Sequence, residues 1–119
     1  MHRNKIIGNF GEELACHYLV RNGYKIIEKN YRHSYLEIDI IAKINSLLTF
    51  IEVKTRTNVF LGLAEDSLSW KKTENINRAI RCYLEKNNIY HENIRFDLIA
   101  IDINKQKKSA HIKHFKDII

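Results

Sequence analysis

Proline is absent from this chain, and no tract of low complexity or internal repeat interrupts it, so nothing reads as a linker between domains. The 119 residues are therefore expected to form one domain, residues 1–119, around a single core. Cysteine is scarce. Cys16 and Cys82 lie far apart and outside any CxxC spacing, which argues against a disulfide framework or a zinc site. Free thiols in a reducing cytoplasm are the expectation. No apolar run approaches the roughly 20 residues of a membrane span. The opening MHRNKIIGNF lacks the apolar segment of a signal peptide. A cytoplasmic protein with no membrane partner is expected.

Acidic charge is also in short supply. Lys plus Arg number 20 against 14 Asp plus Glu, a formal net charge of +6. That excess favours a polyanionic partner, nucleic acid above all.

One stretch organises the rest: LEIDIIAKINSLLTFIEVKTR, residues 36–56. Ile38 to Ala42 and Leu47 to Val53 are apolar, largely β-branched runs, and Lys43-Ile44-Asn45-Ser46 between them has turn composition. The pattern predicts a β-hairpin. Asp39, Glu52 and Lys54 sit in or beside these runs. Alternation along a strand puts Glu52 and Lys54 on one face. Two readings stay open on spacing alone. The charges form a solvated sheet face with an ordinary ion pair, or two carboxylates hold a hard cation such as Mg²⁺ beside a lysine.

Ahead of the hairpin, Asn9 to Val20 has helical periodicity, with Asn9 as a cap and Gly23 as the stop. Glu12 shares the side of Ala15 and Leu19; it either faces the hairpin site or serves the positive end of the helix dipole. Tyr24 to Ile27 predicts a short strand, and Glu28 to Arg32 a polar connection whose Lys29 and Arg32 are solvated or rim a phosphate. After Lys54, residues 55–66 read as a connection. Ser69 to Asn87 predicts a second helix with an apolar stripe at Ile76, Ala79, Ile80, Tyr83 and Leu84. Stepping back one turn from Ile76 puts Lys72 on the same side. Ile94 to Ile103 and Ala110 to Phe115 predict two more strands. A strand–helix–strand crossover over residues 47–103 requires at least one parallel pair in a mixed α/β sheet with helices packed on it.

Asp39, twelve residues, Glu52, one residue, Lys54 resembles the core of the PD-(D/E)XK nuclease superfamily. The fuller set of strings is more specific: GNFGEELACHYL, NGYKIIEKNYR, LEIDIIA, IEVKTR, AIRCYL and RFDLIAID resemble, in that order, the YraN-like family of uncharacterised bacterial proteins. The likeness covers residues 8 to about 115. It implies a restriction-endonuclease-like α/β fold, a mixed β-sheet flanked by helices, similar to archaeal Holliday-junction resolvases. By matching positions it implies Glu12, Asp39, Glu52 and Lys54 as catalytic residues. Asp39, Glu52 and the Val53 carbonyl are the implied ligands of Mg²⁺ or Mn²⁺, with no organic cofactor. Lys72, Arg56, Arg32 and Lys29 are the implied nucleic-acid contacts. Leu36 stands where the family has a glycine, and Arg95 and Asp97 are candidates for a pair within the sheet. The implied activity is metal-dependent cleavage of DNA, branched or structured DNA among its candidate substrates, and similar resolvases act as homodimers. The alternative is a catalytically inactive nucleic-acid-binding module on a nuclease fold.

Overall fold

A computed structural model describes residues 2–57, 70–90 and 93–118, with side chains from Gly8 onwards apart from Trp70. Its elements follow in the order α1 (His2–Arg21), β1 (Lys25–His33), β2 (Leu36–Ile44), β3 (Leu47–Arg56), α2 (Trp70–Lys86), β4 (Asn93–Asn104) and β5 (Ser109–Phe115). The strands form one five-stranded sheet in sequence order. All neighbours are antiparallel except β3 and β4, which run parallel because α2 carries the chain back between them. This is a mixed α/β fold consistent with the restriction-endonuclease-like architecture.

Periodicity explains how the faces are filled. On one face, Ile38, Ile41, Leu48, Phe50 and Phe96 pack against the α2 stripe of Ile76, Ala79, Ile80 and Tyr83. The Tyr83 ring stands edge-on to both Tyr31 and Phe50. On the other face, Ile40, Ala42, Ile51, Ile99 and Ile101 pack against Ala15 and Leu19 of α1. The central strands are covered on both sides, which is why their isoleucines run almost without alternation. Each fully buried Ile or Phe contributes on the order of 1.5–3 kcal/mol. Among the described residues no helix is long and apolar enough to cross a membrane.

The hairpin, the α2 stripe and the parallel crossover follow the sequence pattern; several boundaries do not. α1 begins at His2, so Asn9 lies inside the helix and does not cap it. Its end is as expected: Gly23 has φ +92°, and Tyr24 N–H reaches the Leu19 carbonyl at 2.9 Å. The polar piece Glu28–Arg32 is strand, not connection, because an edge strand can hold its ladder while most of its side chains face water; Tyr31 alone among these five is buried. The β2–β3 turn is tighter than its composition suggested, Asn45–Ser46 alone, with Asn45 at φ 53°. Thr55 and Arg56 extend β3. Most of the connection read over residues 55–66, and Ser69, lie outside the described residues.

Candidate metal and nucleic-acid site

Residues two apart on a regular strand share a face. Ile38 and Ile40 do not, since Ile38 packs on the α2 side and Ile40 on the α1 side. The strand changes face at Asp39. In β1, Asn30 lies between the residues that pair with Ile38 and Ile40, and it takes a left-handed φ of 53°. The β2–β3 ladder also ends here, at Ile40 opposite Ile51. Beyond that point the Asp39 carboxylate, not a backbone carbonyl, accepts the Val53 N–H at 2.8 Å.

The gap so opened is a cleft of about 330 Å³, lined by Glu12, Asp39, Glu52, Val53 and Lys54, with Gly8, Thr55 and Thr57. Asp39 is half-buried. Burial and the neighbouring Glu52 push its pKa from 3.8 up to about 8, against the opposing Val53 N–H. Glu12 and Glu37 push the same way. Glu12 arrives from α1, which sits close on β3 because Gly11 has no side chain: a Cβ there would collide with Thr55. Burial raises the Glu12 pKa too, helped by Glu37 and Glu52 and opposed by Lys29 and an Asn30 hydrogen bond. Glu52 meets Lys72 of α2 at 3.0 Å.

These carboxylates feel one another, but among the described residues no three His, Cys, Asp or Glu side chains gather closely enough to enclose a cation. The donor set suits a partly open hard-cation site. Two carboxylates, Asp39 and Glu52, and the Val53 carbonyl could hold the ion, leaving positions for water or phosphate. The crowding that raises Asp39 is what a divalent cation would relieve.

The basic residues divide. Lys54 lines the cleft and Lys72 reaches it through Glu52. Lys29 lies near enough to Glu12 to lower its pKa. Arg32 is exposed on β1 and pairs with Glu37 at 3.2 Å. Arg56 turns to Asp102 of β4 at 3.0 Å, with both side chains about nine-tenths buried (11% and 10% exposed). Leu36 buries its side chain among Tyr31, Ile38 and the α2 cluster, so it packs in the core and leaves the cleft clear.

Comparison with known proteins places the chain in a family. Residues 11–101 match "Uncharacterised protein family UPF0102". A UPF0102 protein of Clostridium botulinum (strain Alaska E43 / Type E3) is 43% identical over 114 residues, 96% of this chain and 93% of its own. One from Clostridioides difficile (strain 630) is 44% identical over 92% of this chain and 95% of its own. One from Alkaliphilus oremlandii (strain OhILAs) is 42% identical over 93% and 97%. The chain belongs to UPF0102. Glu12, Asp39, Glu52, Lys54 and Lys72 all fall within the segment matched to UPF0102.

The UPF0102 match stops at Ile101, short of β5, which a polar network ties down. Asp97 is fully buried and takes two Arg95 hydrogen bonds at 2.8 Å each. His114 Nε2 donates to it at 2.7 Å and Asp117 N–H at 3.0 Å. Arg95 also donates to the Tyr24 hydroxyl at 2.8 Å, and the Tyr18 hydroxyl meets His114 Nδ1 at 3.0 Å. Burial alone would raise the Asp97 pKa, but its bonds to His114, Arg95 and Asp117 outweigh that and hold it below the ordinary range. The Arg95–Asp97 pair was legible as i, i+2 neighbours on one strand face. His114 and Tyr18 were not, being 17 and 79 residues from Asp97 with no motif to link them.

Proposed function

We propose that this chain is a divalent-metal-dependent DNA endonuclease of the PD-(D/E)XK type, acting on branched or otherwise structured DNA. The observation that carries the reading is the meeting of Asp39, Glu52 and Lys54 in one cleft where a β-ladder ends, with Asp39 driven to a pKa of about 8 by burial and by Glu52. A group so placed in a cleft is characteristic of a functional site. The +6 charge supports a polyanionic substrate.

Asp39, Glu52 and the Val53 carbonyl would hold Mg²⁺ or Mn²⁺. When bound, such a cation supplies positive charge that offsets the scissile phosphate and acidifies water. Asp39 must lose its proton to serve as a ligand. The Val53 N–H fixes one of its oxygens and leaves the other to the cleft. Lys54 projects from the same strand face as Glu52, where its ammonium orients the attacking water and stabilises charge on the phosphate. Glu12, seated by Gly11, supports the site from α1. Lys72 steadies Glu52, and Lys29 and Arg32 provide positive charge on the β1 side.

The test is a cleavage panel over duplex, single-stranded, flap and four-way DNA with Mg²⁺ or Mn²⁺ and an Asp39→Ala control. Metal-dependent cutting that the control lacks upholds the reading; no cutting of any substrate ends it. One observation favours a second reading, a DNA-binding module without turnover. The Lys72 ammonium already lies 3.0 Å from Glu52 and compensates it as a metal would. Binding without cleavage in the same panel selects that reading.

A further inference from the structure

Because β3 and β4 run parallel, their C-terminal ends lie side by side, Arg56 opposite Asp102. β4 continues past that point into the turn to β5. Lys54 stands opposite Ala100, four residues before Asn104, where the turn begins. That is roughly 13 Å along the strand at about 3.3 Å per residue.

A larger cavity of about 970 Å³ opens at this end, lined by Thr57, Asp102, Lys105, Lys107, His111 and Lys113 among others. Asp102 is the one carboxylate among the described lining residues, and Arg56 compensates it at 3.0 Å. The three lysines are exposed and leave the cavity strongly positive. Thr57 lines both this cavity and the cleft of Asp39, Glu52 and Lys54, so the two adjoin. The described lining has no aromatic anchor of the kind that dominates protein–protein contacts. Flexible ammonium groups on a polar wall suit phosphates instead.

We propose that the β4–β5 groove is a second nucleic-acid contact surface, which takes the phosphate backbone of the DNA whose scissile phosphate lies at Lys54. The inference rests on the proposed DNA-processing site and adds where the substrate runs from it. Lys113 pairs with Ala100 and so stands level with Lys54, whereas the turn lies about 13 Å further on; at roughly 3.4 Å of rise per nucleotide the groove runs from beside the scissile phosphate to about four nucleotides away. Residues 105–113 lie outside the segment, 11–101, matched to the family.

The experiment compares the full chain with a triple variant, Lys105→Glu, Lys107→Glu and Lys113→Glu. All three side chains are exposed, and circular dichroism checks the fold. Anisotropy of labelled DNA duplexes of increasing length is followed in EDTA across a salt series, so that cleavage plays no part. The wild type should bind at low salt and gain affinity as the duplex lengthens beyond the cleft. The variant should bind at least tenfold more weakly, lose that length-dependent gain, and show a log K against log salt slope shallower by about 2–3. Equal affinity and slope in the two proteins would overturn the groove while leaving the catalytic reading intact. So would a change in oligomeric state by light scattering with DNA affinity unchanged, which would make β5 a protein interface. A wild type that binds no DNA at low salt would overturn both.

Discussion

The Asp39 carboxylate stands in for a backbone partner of Val53, accepting its N–H at 2.8 Å just past the last β2–β3 ladder pair. This one contact does two things. It satisfies a donor that the splayed strands leave behind, and it fixes Asp39 where burial, Glu52 and Glu12 raise its pKa. The fold supports an electrostatically strained carboxylate by giving it a structural bond as well.

The pH dependence of stability follows from that strain. Asp39 has a pKa of about 8 folded against an ordinary 3.8, so the folded state holds the proton more tightly. The favourable effect is complete below the ordinary value and is lost as pH rises towards 8. Without metal, this group should make stability fall between about pH 4 and pH 8, by at most about 1.4 kcal/mol per pH unit. Glu12 contributes in the same direction. Urea unfolding in EDTA across this range checks the slope, and added Mg²⁺ should flatten it.

Asp39→Asn removes the charge and keeps the shape. In EDTA near pH 8 the variant is expected to be as stable as the wild type or more so, because crowded carboxylates no longer repel. Its side-chain oxygen still accepts the Val53 N–H. Mg²⁺ should raise the Tm of the wild type and not of the variant, and cleavage should be lost while DNA binding persists. A variant that unfolds earlier without metal, alongside a wild type indifferent to Mg²⁺, would make Asp39 a structural residue only.

Gly11→Ala addresses the seating of α1. The added Cβ collides with Thr55, so α1 must shift off β3 or Thr55 must turn away. A loss of about 1–3 kcal/mol is expected, typical of overpacking. Glu12 sits next along the helix and should move with it, so any metal-dependent cleavage should fall by more than the fraction unfolded explains. The double change Gly11→Ala with Thr55→Ala should recover most of the stability.

Asp97→Asn tests the buried network. Arg95 would face an amide in place of a carboxylate, and one partner of a buried pair would be missing. A destabilisation of about 3–5 kcal/mol is expected at neutral pH. The carboxyl is held below its ordinary range, so its contribution is present above that range and disappears as pH falls through the lowered folded value. The difference between wild type and variant should therefore shrink in acid, which chemical unfolding at pH 7 and below pH 3 would measure.

The sequence alone determined whatever depends on neighbours along the chain. Alternation in residues 36–56 specifies a hairpin and puts Glu52 and Lys54 on one face; the 3.6-residue period of α2 points Lys72 inward; Gly23 stops α1. The family strings identified which acids to look for. Tertiary structure decided the rest, since those contacts join segments that no local period relates. Asp39 stands out in the sequence as a charge in an apolar run, but its bond to Val53, fourteen positions on, appears only where the ladder ends beside it. The pairing of Arg56 with Asp102, 46 positions on, appears only when β3 and β4 lie side by side. Glu28 to Arg32 reads as a polar connection because most of an edge strand's order comes from its neighbour's backbone and not from its own side chains. Nothing along the chain relates Gly11 to Thr55, whose side chain leaves no room for a Cβ there. In each case the deciding term is pairing or steric contact between distant segments, fixed only when the sheet assembles and both helices dock.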